Sequence, residues 1–292
     1  MKKFFIIMNT LKDPARKVAK QIQEYLLSRG KECIIQEERQ NEETAGDLGM
    51  NFKYTDVTKI PEDTDCILAL GGDGTLLQAA RDTVEREIPL LGINLGTLGY
   101  LAEIDRPNIH QALECLIGQK YEVKNRMMLE GTAYHQNKKL MEDIALNDIV
   151  IGRVGRLRIL NLRIFLNGAY LTSYSADGII IATPTGSTGY SLSAGGPIID
   201  PEANLIAITP IAAHTLNART IILPDDVEIT IEIGNRKETF HDEAEATFDG
   251  DTSVKLNSFD KIVIRKSKKI TRMVKINQIS FVEVLRNKMN KN

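Results

Sequence analysis

The chain has no tryptophan, only three cysteines, and no apolar run near the roughly 20 residues that a bilayer crossing needs. Cys33, Cys66 and Cys115 form no CxxC pair and no Cys/His metal spacing, which favours a reduced, cytoplasmic protein with no dedicated metal site. The N-terminal apolar run, residues 4–8, is too short for a signal peptide. A net charge of −2 argues against nucleic acid or an anionic membrane as a partner.

The length of 292 residues predicts two domains, because a single hydrophobic core rarely grows to that size. Strand-like runs at 4–8, 33–35, 65–70 and 89–94 alternate with helix signals, which predicts an α/β domain with a parallel sheet over residues 1–120. Residues 121–275 predict an all-β, sandwich-like domain, and residues 276–292 are expected to pack back on the first domain. The expected strands of the all-β domain are 144–151, 157–166, 178–182, 206–209, 221–223, 227–233 and 261–264, with a hairpin turn at Asn167-Gly168.

The string Gly71-Gly72-Asp73-Gly74-Thr75 lies between a buried strand and a helix. Glycines let backbone N–H groups approach a phosphate, and the following helix N-terminus adds donors and partial positive charge. A carboxylate in such a loop is unexpected, because it would repel a bare phosphate. Asp73 could accept a proton from a hydroxyl nucleophile, hold a hydroxyl, or reach phosphate through Mg²⁺. The alternative is a tight turn in which Asp73 only caps the helix. The string is neither a Walker A motif nor a GxGxxG motif.

A second cluster of glycines and hydroxyls covers residues 183–197, directly after a predicted strand. Its six Ser and Thr hydroxyls could bind phosphate or ribose oxygens, and Tyr190 offers a flat face to a base. A flexible linker rich in small residues is the alternative interpretation.

Three further positions have competing or purely structural interpretations. Asn147-Asp148 interrupts an apolar strand, either as a turn or as a reader of the edge of a base. His214 is a lone histidine, which is more often structural than catalytic. Asp249-Gly250 is most simply a hairpin turn. Any Mg²⁺ is expected to arrive with substrate phosphates, because the sequence shows no metal-ligand cluster.

Taken together over about residues 1–285, these strings resemble the NAD kinase family of the bacterial, ATP- or polyphosphate-dependent type. The loop 71–75 alone is shared with 6-phosphofructokinase, diacylglycerol kinase and sphingosine kinase families, whereas the cluster 183–197 makes the resemblance specific. The strings that carry it, in family order, are residues 71–75, 125–129, 145–148, Asp177-Gly178, 183–197, Thr209-Pro210, His214, Arg219 and Phe248-Asp249-Gly250.

The resemblance implies phosphorylation of the adenosine ribose 2′-hydroxyl of NAD to give NADP, with a divalent cation and a dimeric or tetrameric assembly. It implies that Asp73 is the general base or holds the reacting hydroxyl. Gly71, Gly72, Gly74 and Thr75 are expected to seat the donor phosphates. NAD contacts are implied for Asp73, Gly74, Asn147, Asp148, Arg158, Asp177, Thr188, Gly189, Tyr190, Ser191, Leu192 and Ser193. Further possible site residues are Gln78, Ser175, His214 and Asp251.

Two other functions remain open at this point. A lipid or sugar kinase could use the same 71–75 loop. A dinucleotide-binding sensor without catalysis is a hypothesis from a different class, which the presence of Asp73 disfavours.

Overall fold

The computed structural model describes residues 1–8, 13–36, 55–96, 99–155, 159–215, 218–235, 243–276 and 281–289. These residues divide into two compact units. The first unit contains described residues from 1–126 and 270–289, and the second contains those from 127–269. Within these ranges, no helix has the length and apolar character that a membrane crossing requires.

The described residues form more strands than helices. In chain order the strands are β1 Lys3–Met8, β2 Glu32–Ile35, β3 Cys66–Gly71, β4 Leu90–Asn94, β5 Ile104–Asp105, β6 Glu122–His135, β7 Lys138–Ala145, β8 Asp148–Arg153, β9 Leu160–Leu166, β10 Ala169–Ala176, β11 Gly178–Ala182, β12 Leu205–Ile211, β13 Ile221–Pro224, β14 Ile229–Ile233, β15 Glu243–Phe248, β16 Thr252–Asn257 and β17 Lys261–Lys275. The α-helices are α1 Asp13–Ser28, α2 Asp73–Thr83, α3 Ile109–Ile117, α4 Tyr190–Ser193 and α5 Phe281–Met289.

The first unit is built on a parallel sheet with strand order β2-β1-β3-β4. Strand β1 is apolar at consecutive positions because both of its faces are covered. Phe4 and Ile6 pack with α1 and α3, whereas Phe5 and Ile7 pack with α2 on the opposite face. Helix α1 ends at Ser28, and the predicted stop residue Gly30 follows two residues later with a φ of +67°. The carboxyl ends of β3 and β4 lie side by side, and α2 begins directly after β3.

The second unit contains two antiparallel sheets. One has the order β13-β12-β11-β8-β15-β16, and the other includes β10-β9-β14-β17. Their facing sides share one apolar core, with Ile149, Ile179 and Ile208 from the first sheet and Leu162 and Ile231 from the second. Two antiparallel sheets in this unit, and parallel strands with helices in the first unit, confirm the fold class predicted from the sequence.

Some strands of the second unit lie where the sequence predicted them, and others were not predicted. The Asn167-Gly168 turn joins β9 to β10, with positive φ at both residues, as the hairpin prediction required. The hairpin of β6 and β7 was not predicted. Its turn residues Gln136 and Asn137 have φ of +46° and +68° without a glycine, so the usual sequence signal is missing. The 14-residue strand β6 also carries charged residues that weaken its apolar pattern.

Candidate active site

The loop 71–75 joins β3 to α2 in the first unit. Gly72 is the N-cap of α2 without a side-chain cap, and Asp73 is the first helical residue. The alternative interpretation, in which Asp73 only caps the helix, is therefore wrong, because the Asp73 side chain makes no capping hydrogen bond. None of Gly71, Gly72 and Gly74 is among the described glycines with positive φ, so these glycines are not needed for backbone conformation.

The Asp73 carboxylate is bound by a second loop of the same unit. Its Oδ2 accepts the N–H of Tyr100 at 2.8 Å, and its Oδ1 accepts the N–H groups of Leu101 and Ala102 at 3.2 and 3.3 Å. Hydrogen bonds from three consecutive amides fix the orientation of the carboxylate. The side chain is half-buried, so one side of it remains open to solvent.

The glycines of this loop differ in their surroundings. A Cβ on Gly71 would lie 2.1 Å from Thr75 Oγ1, so close packing within the loop requires glycine there. On Gly72 and Gly74, which are exposed, a Cβ would meet no described atom within 4 Å. Their lack of a side chain leaves the start of α2 accessible, as a phosphate site at a helix N-terminus needs. Gln78 lies half-buried one turn further along α2.

A cleft of about 350 Å³ opens in the second unit, in the size range of small-molecule sites. Asn147 and Asp148 form one side of it, at the junction of β7 and β8, and Tyr190 is 48% exposed at its edge. The cleft thus combines polar side chains with one aromatic ring. Its lining residues are Asn147, Asp148, Val150, Tyr190, Thr247, Asp249 and Gly250.

Two polar groups of this region are buried and unpaired. Asn147 Oδ1 has no hydrogen-bond donor among the described residues, and the same holds for Thr185 Oγ1. An unsatisfied buried acceptor costs about 1–3 kcal/mol, so such atoms mark places where a ligand can supply the donor. Asn147 is therefore both a turn residue and a candidate reader of a base.

Asp148 is only 6% exposed. Burial raises the pKa of its carboxyl to about 7, with a smaller contribution from the negative charge of Asp249. A carboxyl with this pKa can donate or accept a hydrogen bond near neutral pH, so it can bind either a donor or an acceptor group of a ligand.

The segment 183–197 is hydrogen-bonded into the second unit and is not a loose linker. Ser187 Oγ accepts the N–H of Ile199 and donates to the carbonyl of Pro184. Ser191 is fully buried and its hydroxyl meets that of Thr209 at 3.1 Å. Of the remaining predicted contacts, Thr188, Gly189 and Leu192 are half-buried, and Ser193 is exposed.

A second group of predicted residues lies away from the cleft. Asp177 forms an ion pair with Arg153 at 3.1 Å, and the N–H of His214 donates to the carbonyl of Ser175. Asp177 comes just before the first residue of β11, Gly178, which pairs with Gly152. Asp148 pairs with Ala182, the last residue of β11. Five residue steps along this strand pair separate Asp177 from Asp148 by about 16 Å. The structure therefore divides the predicted NAD contacts into two groups.

Two other predicted residues stand apart. Arg158 lies outside the described residues. Asp251 donates its N–H to the carbonyl of Phe248 in the β15–β16 turn.

Asp249 belongs to the cleft but was not predicted as a site residue. It was predicted to form a hairpin turn, which the β15–β16 connection confirms, and it belongs to one of the strings that carry the family resemblance. The structure also places it on the cleft wall. Its contacts are with residues about 100 positions earlier, so no local pattern could indicate them.

The described residues contain no group of three or more His, Cys, Asp or Glu side chains arranged to hold a metal ion. The 71–75 loop offers one carboxylate, that of Asp73. One carboxylate fits the usual binding of Mg²⁺, which takes one or two protein ligands together with substrate phosphates and water.

Family models match most of the chain. Residues 4–121 match the model described as the ATP-NAD kinase N-terminal domain, and residues 146–276 match that of the ATP-NAD kinase C-terminal domain. An NAD kinase from Lachnospira eligens is 46% identical over 99% of this chain and 100% of its own length. An NAD kinase from Agathobacter rectalis is 45% identical over 99% of both chains.

Solved structures share the fold at lower identity. Yeast NADH kinase, crystallised with NADH, superposes with a TM-score of 0.83 at 24% identity, covering 100% of this chain and 88% of that one. An NAD kinase from Archaeoglobus fulgidus in complex with ATP gives a TM-score of 0.73 at 22% identity, covering 100% and 98%.

Proposed function

The chain belongs to the ATP-NAD kinase family, and we propose that it phosphorylates the 2′-hydroxyl of the adenosine ribose of NAD with ATP, giving NADP and ADP. The observation that carries this function is the identity of 44–46% to curated NAD kinases over 99% of the chain. The test is incubation of the purified protein with ATP, Mg²⁺ and NAD. Formation of NADP supports the function, and its absence with a folded, NAD-binding protein contradicts it.

In the proposed reaction, the ribose 2′-oxygen forms a bond to the γ-phosphorus of ATP as the bond from that phosphorus to the β–γ bridging oxygen breaks. Asp73 orients the 2′-hydroxyl and accepts its proton late in the transfer. Tyr100, Leu101 and Ala102 support this role, since their amides hold the carboxylate in one orientation before substrate binds. The proton then passes to water.

The donor phosphates bind at the start of α2 in this proposal. The open space at Gly72 and Gly74 allows close approach to backbone N–H groups, and the helix dipole favours the negative charge. Mg²⁺ would arrive at this loop with the donor phosphates. The bound ion would neutralise charge on the phosphates during transfer.

The cleft of the second unit receives the adenine base. The buried, unpaired Asn147 Oδ1 can accept from the exocyclic amino group of adenine, a pairing that Asn makes with adenine in nucleic-acid complexes. The exposed Tyr190 ring offers a stacking surface. Loss of NAD affinity in Asn147→Ala, measured by calorimetry, would support this assignment. Unchanged affinity would contradict it.

The second group, with Asp177, Ser175 and His214, lies about 16 Å from Asp148, and we assign it to the NAD site of a neighbouring copy in a dimer or tetramer. Mixing two defective variants, Asn147→Ala and Asp177→Ala, tests this. In randomly mixed dimers, about one site in four would have both residues intact, so about a quarter of wild-type activity should return. No recovery, in mixtures shown by light scattering to be oligomeric, would argue for sites built from one chain.

The cytoplasm is the proposed location. All three cysteines are free thiols, and Cys33 and Cys66 are buried, which suits a reducing compartment. Fractionation of cells that express a tagged chain would check this location, and secretion would contradict it.

A further inference from the structure

Asp249 does more in this structure than form a turn. It has a φ of +52° and precedes Gly250, with a φ of +71°, in the connection between β15 and β16. The left-handed backbone of such a turn accepts Asn as readily as Asp. The turn therefore accounts for the backbone at position 249 and leaves the negative charge of the side chain unexplained.

The carboxylate of Asp249 binds three consecutive amides of the cleft wall. Its Oδ2 accepts the N–H of Leu146 at 2.7 Å, and its Oδ1 accepts those of Asn147 and Asp148 at 2.7 and 3.1 Å. Its own N–H donates to the carbonyl of Asp148 at 3.0 Å. Charge-assisted hydrogen bonds of this length are stronger than neutral ones.

Thr183 holds the same segment from the other side. Its hydroxyl donates to the carbonyl of Leu146 at 2.6 Å, and its N–H donates to the carbonyl of Asn147 at 2.9 Å. Asp249 and Thr183 together engage all six backbone polar groups of residues 146–148. The backbone that presents the two cleft side chains is thus fixed before any ligand binds.

The charge of Asp249 also has a cost. It lies beside the buried carboxyl of Asp148 and contributes to raising the pKa of that group. An asparagine at position 249 would form the turn without this repulsion, so the carboxylate is not explained by stability of the turn alone.

We propose that Asp249 is a positioning residue for nucleotide binding, which holds Asn147 and Asp148 in the orientation that the base requires. This inference rests on the proposed NAD kinase function. Asp249 acts through its neighbours and takes no part in phosphoryl transfer. Its loss should therefore weaken NAD binding and leave the chemical step nearly intact.

The test is Asp249→Asn in the full-length protein, assayed for NADP formation. Asparagine keeps one acceptor oxygen and turns an NH₂ group toward a backbone N–H, so the segment 146–148 loses support. We expect the KM for NAD to rise by about 10- to 100-fold, with kcat changed by less than about threefold. NAD titration by calorimetry should show the same loss of affinity.

Asp260→Asn is the matched control. Asp260 is a buried aspartate of the same unit that accepts the N–H of Asn257 and contacts the ring of His135 at 2.6 Å, and it does not line the cleft. The Asp260→Asn substitution should lower the Tm and leave the KM for NAD unchanged. A pH profile adds a readout that lost stability would not move. The other titratable side chains lining the cleft are Tyr190 and Asp249. Removing the Asp249 charge should shift the inflection due to Asp148 to lower pH, and Asp260→Asn should not.

The inference fails if Asp249→Asn has a wild-type KM, or if kcat falls while the KM stays constant. If that variant does not fold, Asp249→Glu keeps the charge and displaces it by one methylene. It should still raise the KM for NAD, and a folded Asp249→Glu protein with wild-type KM overturns the proposal. Wild-type NADP formation decides separately whether the proposed function holds.

Discussion

Gly99 lies directly against the carboxylate of Asp73. A Cβ built on Gly99 would be 1.8 Å from Asp73 Oδ1 and 2.2 Å from its Cγ. The carboxylate therefore occupies the space that any side chain at position 99 would need. The next three residues, Tyr100, Leu101 and Ala102, supply the amides that bind it.

Gly99→Ala should displace the Asp73 carboxylate and break at least one of these hydrogen bonds. We expect kcat to fall by about 100-fold, because misplacement of a reacting group by about 1 Å has that effect. The measurement is steady-state NADP formation. Gly96→Ala is the control from the same segment, since its Cβ would meet only Asn94 Oδ1, at 3.9 Å, among the described atoms. Equal activity of the two variants would contradict the role given to Asp73.

Asp73→Asn should lower kcat by about 100-fold or more, because the amide cannot accept the hydroxyl proton. The matched variant is Asp82→Asn on the same helix. Asp82 is buried and accepts the N–H of Thr55 at 2.8 Å, so its loss should reduce stability and leave kcat nearly unchanged. Thermal unfolding of both variants separates the two effects. Near-wild-type turnover in a folded Asp73→Asn protein would rule out the proposed role.

Asp148 should make the folded protein less stable as the pH rises. Its pKa is about 7 in the folded state, against an ordinary value of 3.8 for an aspartate carboxyl. Between these values the folded chain keeps a proton that the unfolded chain has released. Stability due to this group is therefore greatest below pH 4, falls as the pH rises toward 7, and stays low above it.

Asp148→Asn removes this dependence. The variant should be more stable than wild type at pH 8 by about 2 to 4 kcal/mol, and the difference should shrink at pH 5. Urea denaturation at the two pH values measures it. A stability difference that is the same at both values would show that Asp148 titrates normally.

Gly186 should be sensitive to substitution because it packs on Asn147. A Cβ there would lie 2.0 Å from the carbonyl oxygen of Asn147. Gly186→Ala should therefore destabilise the second unit by about 1–3 kcal/mol and weaken NAD binding. Gly152→Ala is the control, since the Cβ would meet no described atom within 4 Å. Denaturation midpoints and the KM for NAD would both be measured, and a neutral Gly186→Ala would show that the backbone there can adjust.

Short-range patterns predicted much of the fold. Residues 4–7 are continuously apolar because alternate side chains enter two different cores, and that pattern is visible in the sequence. Glycine marked the turn at Gly168 and the helix end at Gly30, where positive φ is required. The β6–β7 hairpin was missed because Gln136 and Asn137 adopt the same backbone region without glycine.

The site was predicted less completely, since its supporting contacts join distant parts of the chain. The sequence indicated Asp73 by its glycine neighbours but could not indicate that residues 100–102 would bind its carboxylate. Asp249 reads as a turn residue from its own neighbours, and only the pairing of β15 with β8 brings it to Asp148. Residues 175, 177 and 214 were placed with Asn147 by resemblance, and a β-strand pair separates them.

The way residues 146–148 are held has a consequence for protein engineering. Their backbone groups are bound by Asp249 and Thr183, so the Asn147 side chain makes no hydrogen bond, among those described, that the fold needs. Position 147 should therefore tolerate a library of side chains no larger than asparagine with little change in Tm. Selection from such a library offers a route to kinases that accept dinucleotides with altered bases.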